Sequence, residues 1–213
     1  MKQYHKIQTI FKRTQEKPCK IIEGLYSLPE FEYLKDNAWT FTEKVDGTNI
    51  RIMLETNLHP YGQSSLKIGG KTDNASIPTF LYDKLNNMFS VSELTEQFPD
   101  GVCLYGEGYG AKIQKGGGNY ISDGVDFVLF DVKVGEYWLS RNTVDEIASE
   151  LNIKSVPIIG EGTLQDAIEI CRKGFKSQWG DFIAEGIVAR PKTELFTRNG
   201  NRIITKIKCK DFN

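Results

Sequence analysis

Lys44 stands in Glu43-Lys44-Val45-Asp46-Gly47-Thr48-Asn49, a segment whose residue types suit nucleophilic chemistry at an amine. A lysine amine has an ordinary pKa of about 10.4 and attacks an electrophile only in its neutral form. Neighbouring cations and a bound metal ion favour that form. Asp46 lies two residues on, so in an extended segment both side chains point the same way, and Gly47 suits a tight turn. The run from Ile50 to Glu55 alternates apolar and polar residues, the pattern of a half-buried strand. Alone, the segment also reads as a hairpin turn with a solvated Lys and Asp, because Asp-Gly is a common hairpin pair.

Four later segments add chemistry in a fixed order. Leu104-Tyr105-Gly106-Glu107-Gly108-Tyr109-Gly110 sets one carboxylate between glycines at the end of an apolar strand. In Phe127-Val128-Leu129-Phe130-Asp131-Val132, strand alternation puts Val128 and Phe130 on one face and Phe127 and Leu129 on the other. Ala184-Glu185-Gly186-Ile187-Val188-Ala189-Arg190 presents a second Glu-Gly on a strand. In Ile203 to Lys210, period-two alternation lines up Lys206, Lys208 and Lys210 opposite Thr205, Ile207 and Cys209. Alone, that row is also an ordinary solvated strand face, and Phe130 is also an ordinary core residue.

In this order the segments resemble the motifs of the covalent nucleotidyltransferases, the group of RNA ligases, DNA ligases and mRNA capping enzymes. Lys-x-Asp-Gly-Thr-Asn at Lys44 is similar to the form typical of the phage and kinetoplastid-editing RNA ligases, and the motifs stretch from Lys44 to Lys208. The resemblance implies that Lys44 attacks the α-phosphate of ATP, expels pyrophosphate and holds AMP as a phosphoramidate, with Lys206 and Lys208 acting on the α-phosphate. It implies a nucleotide site of Glu43, Lys44, Lys71, Glu107, Phe130, Glu185, Lys206 and Lys208, in which Glu107 accepts from the ribose hydroxyls and Phe130 stacks on adenine. Glu185, with Asp46 as a further candidate, would hold Mg²⁺, or Mn²⁺ in its place, directly or through its waters. Asn49 and Arg51 are candidates for substrate contact. So are Lys112 and Lys115, in a glycine run from Ala111 to Tyr120 that also reads as a surface loop. Lys71 departs from the pattern: related ligases usually carry arginine there, whose planar fork grips phosphate where lysine offers a point charge.

The implied activity is an ATP-dependent RNA ligase joining 5′-phosphate and 3′-hydroxyl ends through lysyl-AMP and adenylylated RNA. A DNA ligase, a GTP-dependent capping-type enzyme and a nucleic-acid-binding module without turnover stay open as alternatives. The implied fold is α+β, a single nucleotidyltransferase domain over 1–213 with antiparallel sheets around a nucleotide cleft and flanking helices. With no OB-fold or helical domain in the sequence after the last motif, the expectation is a one-domain minimal ligase or a piece of a longer chain, with an accessory protein as a candidate for grip on RNA. A monomer is the expectation.

Composition agrees with an enzyme of this size. The chain has 213 residues, 39% of them hydrophobic, enough to bury a real core. No apolar run reaches the roughly 18 residues of a membrane span, and no signal-type apolar segment follows Met1–Lys6, so a cytoplasmic enzyme is expected, in host cytoplasm if phage-encoded. Four widely spaced cysteines and two histidines argue against structural zinc and disulfides. The net charge of −1 hides a local excess: between Glu185 and Lys210 seven basic residues face two acids. That concentrates positive field where phosphates would arrive. Helices are expected over 76–98 in two pieces, with Ser90 and Glu93 as a capping box at the second start, over 142–151, and over 163–173 with Gly174 closing it. Val134-Gly135-Glu136 suits a turn between two strands.

Overall fold

The computed structural model describes residues 3–56 and 63–212. They fall into two compact units: a central unit, Asp46–Val156 with Met1–Tyr4, and a terminal unit, His5–Val45 with Pro157–Asn213.

In the central unit the strands run Lys154–Ser155, Val125–Val134, Val102–Gly110, Thr48–Glu55, Ser65–Gly69 across one sheet, and Tyr137–Trp138 pairs with Val125–Val134. All neighbours are antiparallel except Lys154–Ser155. The strand period of two sorts the residues cleanly. Ile50, Ile52, Leu54 and Leu104 join Phe127, Leu129 and Val132 in the core, while Asn49, Arg51, Tyr105 and Glu107 occupy the other face. Helices Thr79–Met88, Val91–Gln97 and Arg141–Glu150 cover the core face through Leu81, Leu85, Leu94, Val144 and Ile147. Full burial of a leucine contributes about 2 kcal/mol, so these few side chains suffice to seat short helices.

The first helix starts at Thr79, three residues later than position 76, because Pro78 forces Ile77 away from helical backbone. It breaks at Phe89, which is extended, and Ser90 then caps the next helix by accepting from the Glu93 amide.

The terminal unit carries a five-stranded sheet in the order Gln8–Thr9, Thr205–Lys208, Gly186–Pro191, Trp39–Glu43, Ile158–Gly162, antiparallel except for Gln8–Thr9. Phe11–Arg13 and Ile21–Tyr26 form a separate hairpin. Helix Leu164–Lys173 packs Leu164, Ala167, Ile168 and Cys171 with Trp39, Phe41, Ile187, Ala189 and Ile207. It opens on a reciprocal capping box between Thr163 and Asp166 and closes at Gly174, whose φ of 71° suits glycine.

The protein is thus a mixed α+β chain of mainly antiparallel sheets. Among the described residues no helix is long and apolar enough to cross a membrane, and the four cysteines are free thiols.

Candidate active site

In the terminal unit three separate segments bring Lys44, Glu185 and Lys208 together. Lys44 follows the end of Trp39–Glu43, Glu185 precedes Gly186–Pro191, and Lys208 ends its own strand. The Lys44 amide donates to the Gly186 carbonyl at 2.8 Å, and Gly186 is the register partner of Lys208. Lys44 Nζ donates to Glu185 Oε2, and Lys208 Nζ donates to Glu185 Oε1 at 2.6 Å. The glutamate side chain is only 12% exposed. Burial pushes its pKa up, but the charges and hydrogen bonds of Lys44 and Lys208 outweigh it and hold the carboxyl below the ordinary range.

Gly186 explains why the motif is Glu-Gly. A Cβ there would lie 2.0 Å from the Ile207 carbonyl oxygen and 2.8 Å from Lys208 Cα. Only glycine lets the strand bearing Glu185 lie this close to the strand bearing Lys208.

Lys206 shares the Lys208 face, since Thr205 and Ile207 on the opposite side are fully buried. Glu43 goes the other way. It alternates with Trp39 and Phe41, so its side chain lies on the core side, 1% exposed. Oε1 accepts from the Ser177 hydroxyl at 2.6 Å and Oε2 from the Gln178 amide at 2.8 Å. Burial raises its pKa, and those two hydrogen bonds offset only part of the rise.

The remaining candidates belong to the central unit. Glu107 lies between Gly106 and Gly108, where a Cβ would meet Phe127 at 2.2 Å and Leu81 at 2.6 Å; the glycines therefore face the core and Glu107 faces away. Phe130 is the extra residue of a β-bulge: Tyr105 pairs with Asp131 and Gly106 with Leu129. The bulge leaves Phe130 half-buried on the Glu107 side, with the Tyr4 ring edge-on at 5.0 Å. Arg51 is 1% exposed, donates from Nε to the Gly70 carbonyl and from a terminal nitrogen to Asp73, both at 2.8 Å, and so ties down the loop carrying exposed Lys71. Asn49 precedes it on the same face, opposite Glu107 in register.

Asp46 and Gly47 are clamped by the glycine-run segment. The Tyr120 hydroxyl accepts from the Asp46 amide at 3.0 Å, and the Gln114 side chain donates to the Gly47 carbonyl at 3.1 Å. A Cβ on Gly47 would lie 2.3 Å from the Gly108 carbonyl oxygen, so the turn must pass there as glycine. Lys112 and Lys115 are exposed on the same segment.

Four residues take part in the structure beyond the sequence candidates. Tyr4 donates to the fully buried Asp131 and packs on Phe130, Tyr105 and Trp138. Nothing local to Tyr4 announces a partner 127 positions away. Ser177 and Gln178 sit in a loop with no motif of their own. Asp131 alone carried a signal, an acid inside an otherwise apolar strand.

Residues 37–208 match the RNA ligase family model. The chain belongs to the RNA ligase family. Its fold is similar to that of Naegleria gruberi RNA ligase with PPi (TM-score 0.64, 20% identity), over 94% of this chain and 55% of that one. A mutant of the same Naegleria gruberi enzyme with ATP and Mn matches at TM-score 0.64 and 17% identity, over 97% of this chain and 61% of that one. Another mutant, with AMP and Mn, matches at TM-score 0.60 and 17% identity, over 94% and 55%. The chain spans little more than half the length of these family structures.

Proposed function

We propose that this chain carries the ATP-dependent adenylylation chemistry of an RNA ligase, and that residues 1–213 act as one nucleotidyltransferase domain with a nucleotide cleft. The observation that carries the reading is the Lys44–Glu185–Lys208 cluster: two motif lysines, distant in sequence, on the carboxylate of a third motif residue.

The Lys44 Nζ lone pair attacks the α-phosphorus of ATP. A phosphorus–nitrogen bond forms, the bond to the bridging oxygen breaks, and its electron pair leaves with pyrophosphate while Nζ gives up a proton to solvent. Glu185, held below the ordinary carboxyl range, stays ionised and balances the lysines instead of keeping that proton. Lys206 and Lys208 present positive charge to the α-phosphate, where negative charge gathers in the transition state. Glu107 accepts from the ribose hydroxyls and Phe130 offers its half-buried ring to the base. The 5′-phosphate of RNA then attacks the same phosphorus and frees Lys44, and a 3′-hydroxyl displaces AMP to seal the ends.

Among the described residues no group of three or more His, Cys, Asp or Glu is placed to hold a metal ion. Glu185, whose two oxygens accept from Lys44 and Lys208, would hold a hard cation such as Mg²⁺ or Mn²⁺ through its waters, with Asp46 as a second candidate. When bound, such an ion neutralises phosphate charge as pyrophosphate departs.

The test is incubation with Mg²⁺ and α-labelled ATP or GTP, followed by a chase with RNA bearing 5′-phosphate and 3′-hydroxyl ends. The reading expects label from ATP alone, discharged onto the 5′ end and then released as AMP on joining. Label from GTP would point to capping-type chemistry, and discharge onto DNA alone to a DNA ligase.

A further inference from the structure

We infer that Glu43 is a positioning residue, not a nucleotide contact: its buried carboxylate anchors the 175–184 loop, and through it Glu185, to the strand that carries Lys44. The inference deepens the adenylylation reading and lies wholly within the terminal unit.

The loop is held at its start by Phe175, which packs against the core of the terminal unit. It closes on itself through the Lys176–Ile183 bridge, Ser177 amide to Phe182 carbonyl at 2.8 Å, and Ala184 amide to Phe175 carbonyl at 2.9 Å. The Ser177 hydroxyl donates to Glu43 and accepts the Trp179 amide at 3.1 Å. Glu43 therefore takes one donor from a side chain and one from the backbone, and both its oxygens are used. At 1% exposed, its side chain lies on the core side of the strand. A buried carboxylate without donors is costly, so the loop and the glutamate hold each other. The loop then runs through Ala184 directly into Glu185, while Glu43 pairs in register with Ile187 and is followed by Lys44. Glu43 thus touches both ends of the Lys44–Glu185 contact, alongside the backbone bonds from the Lys44 amide to the Gly186 carbonyl and from the Cys209 amide to the Glu185 carbonyl.

The test uses Glu43→Gln and Ser177→Ala in the full chain. The amide that replaces the Glu43 carboxylate keeps one acceptor oxygen but turns an NH₂ donor on Ser177 or Gln178. Both variants should exchange the amide hydrogens of 176–184 faster while the rest of the chain keeps its protection. Adenylylation at saturating ATP should slow by about 10- to 100-fold with ATP affinity changed less than about threefold, because misplacement by an ångström acts on the chemical step. The double variant should be no slower than the worse single one. An ATP affinity that falls as far as the rate would make Glu43 a nucleotide contact and overturn the inference. A readout free of turnover is acylation of Lys44 by an amine-reactive reagent, with Lys67 as reference; both variants should acylate Lys44 several-fold faster as the Glu185 contact loosens. Unchanged Lys44 acylation would overturn the positioning role whether or not the chain adenylylates. A wild-type chain that takes no label, yet shows the acylation change, would sink the adenylylation reading and leave the anchor standing.

Discussion

Glu43 and Glu185 sit in one unit, close in the same sheet, and both are largely buried, yet their acidities move in opposite directions. Glu43 is met by neutral donors, a hydroxyl and an amide, and burial wins, so its pKa rises. Glu185 is met by two ammonium groups, and they win over burial, so its pKa falls. What separates an anchor from a charged site is thus the partner, not the depth. Strand alternation decides which partner each acid meets, because Glu43 shares the face of Phe41 while the next residue, Lys44, turns to the lysine face.

The largest expected effect breaks the Glu185 side of this comparison. Lys44→Ala should abolish covalent AMP while leaving the fold, since the side chain is partly exposed and its loss opens no core cavity. Intact mass after incubation with ATP checks the first, and an unchanged thermal unfolding profile the second. Glu185→Gln should keep the shape but remove the charge that balances two lysines, slowing adenylylation by about 100-fold or more; single-turnover labelling measures it. Lys208→Ala should slow the chemical step by about tenfold or more and weaken ATP binding less, because a contact to the α-phosphate matters most in the transition state. Equal losses would make Lys208 a ground-state clamp.

The smallest effect sharpens the contrast itself. Glu185, with a folded pKa below its unfolded value of about 4.3, adds stability that is present above that value and lost as pH falls through the folded pKa. Glu43, with a folded pKa above its unfolded value, adds stability that is full below about 4.3 and lost as pH rises through the folded pKa. Urea unfolding across pH 3 to 7 should therefore show Glu185→Gln flattening the acid side and Glu43→Gln flattening the slope above it. The same direction of change in both variants would break the comparison.

Much of this was legible in sequence because it is periodic or local. Alternation assigned Lys206 and Lys208 to one face, Phe130 and Phe127 to opposite faces, and the helix at 164–173 announced both caps. The Pro78 delay was local too, but a proline signal was there to be weighed. What sequence could not supply was long-range. The bulge that frees Phe130 depends on pairing with Tyr105 and Asp131, and Tyr4 reaches Asp131 only through the folded sheet. Arg51 was readable as a strand residue on the polar face, but its bonds to Gly70 and Asp73 depend on where the next strand returns. Glu43 is the instructive case, since the resemblance offers it to the nucleotide while alternation with Trp39 and Phe41 carries its side chain into the core.

The central claim is that Lys44 carries the nucleotide. The most direct test is peptide mapping of the wild-type chain, freed of prebound AMP and incubated with Mg²⁺ and ATP. The account predicts a single AMP on the peptide containing Lys44, bound through Nζ and lost in acid as a phosphoramidate. A stable adduct on any other residue, or none on a folded chain, would contradict it.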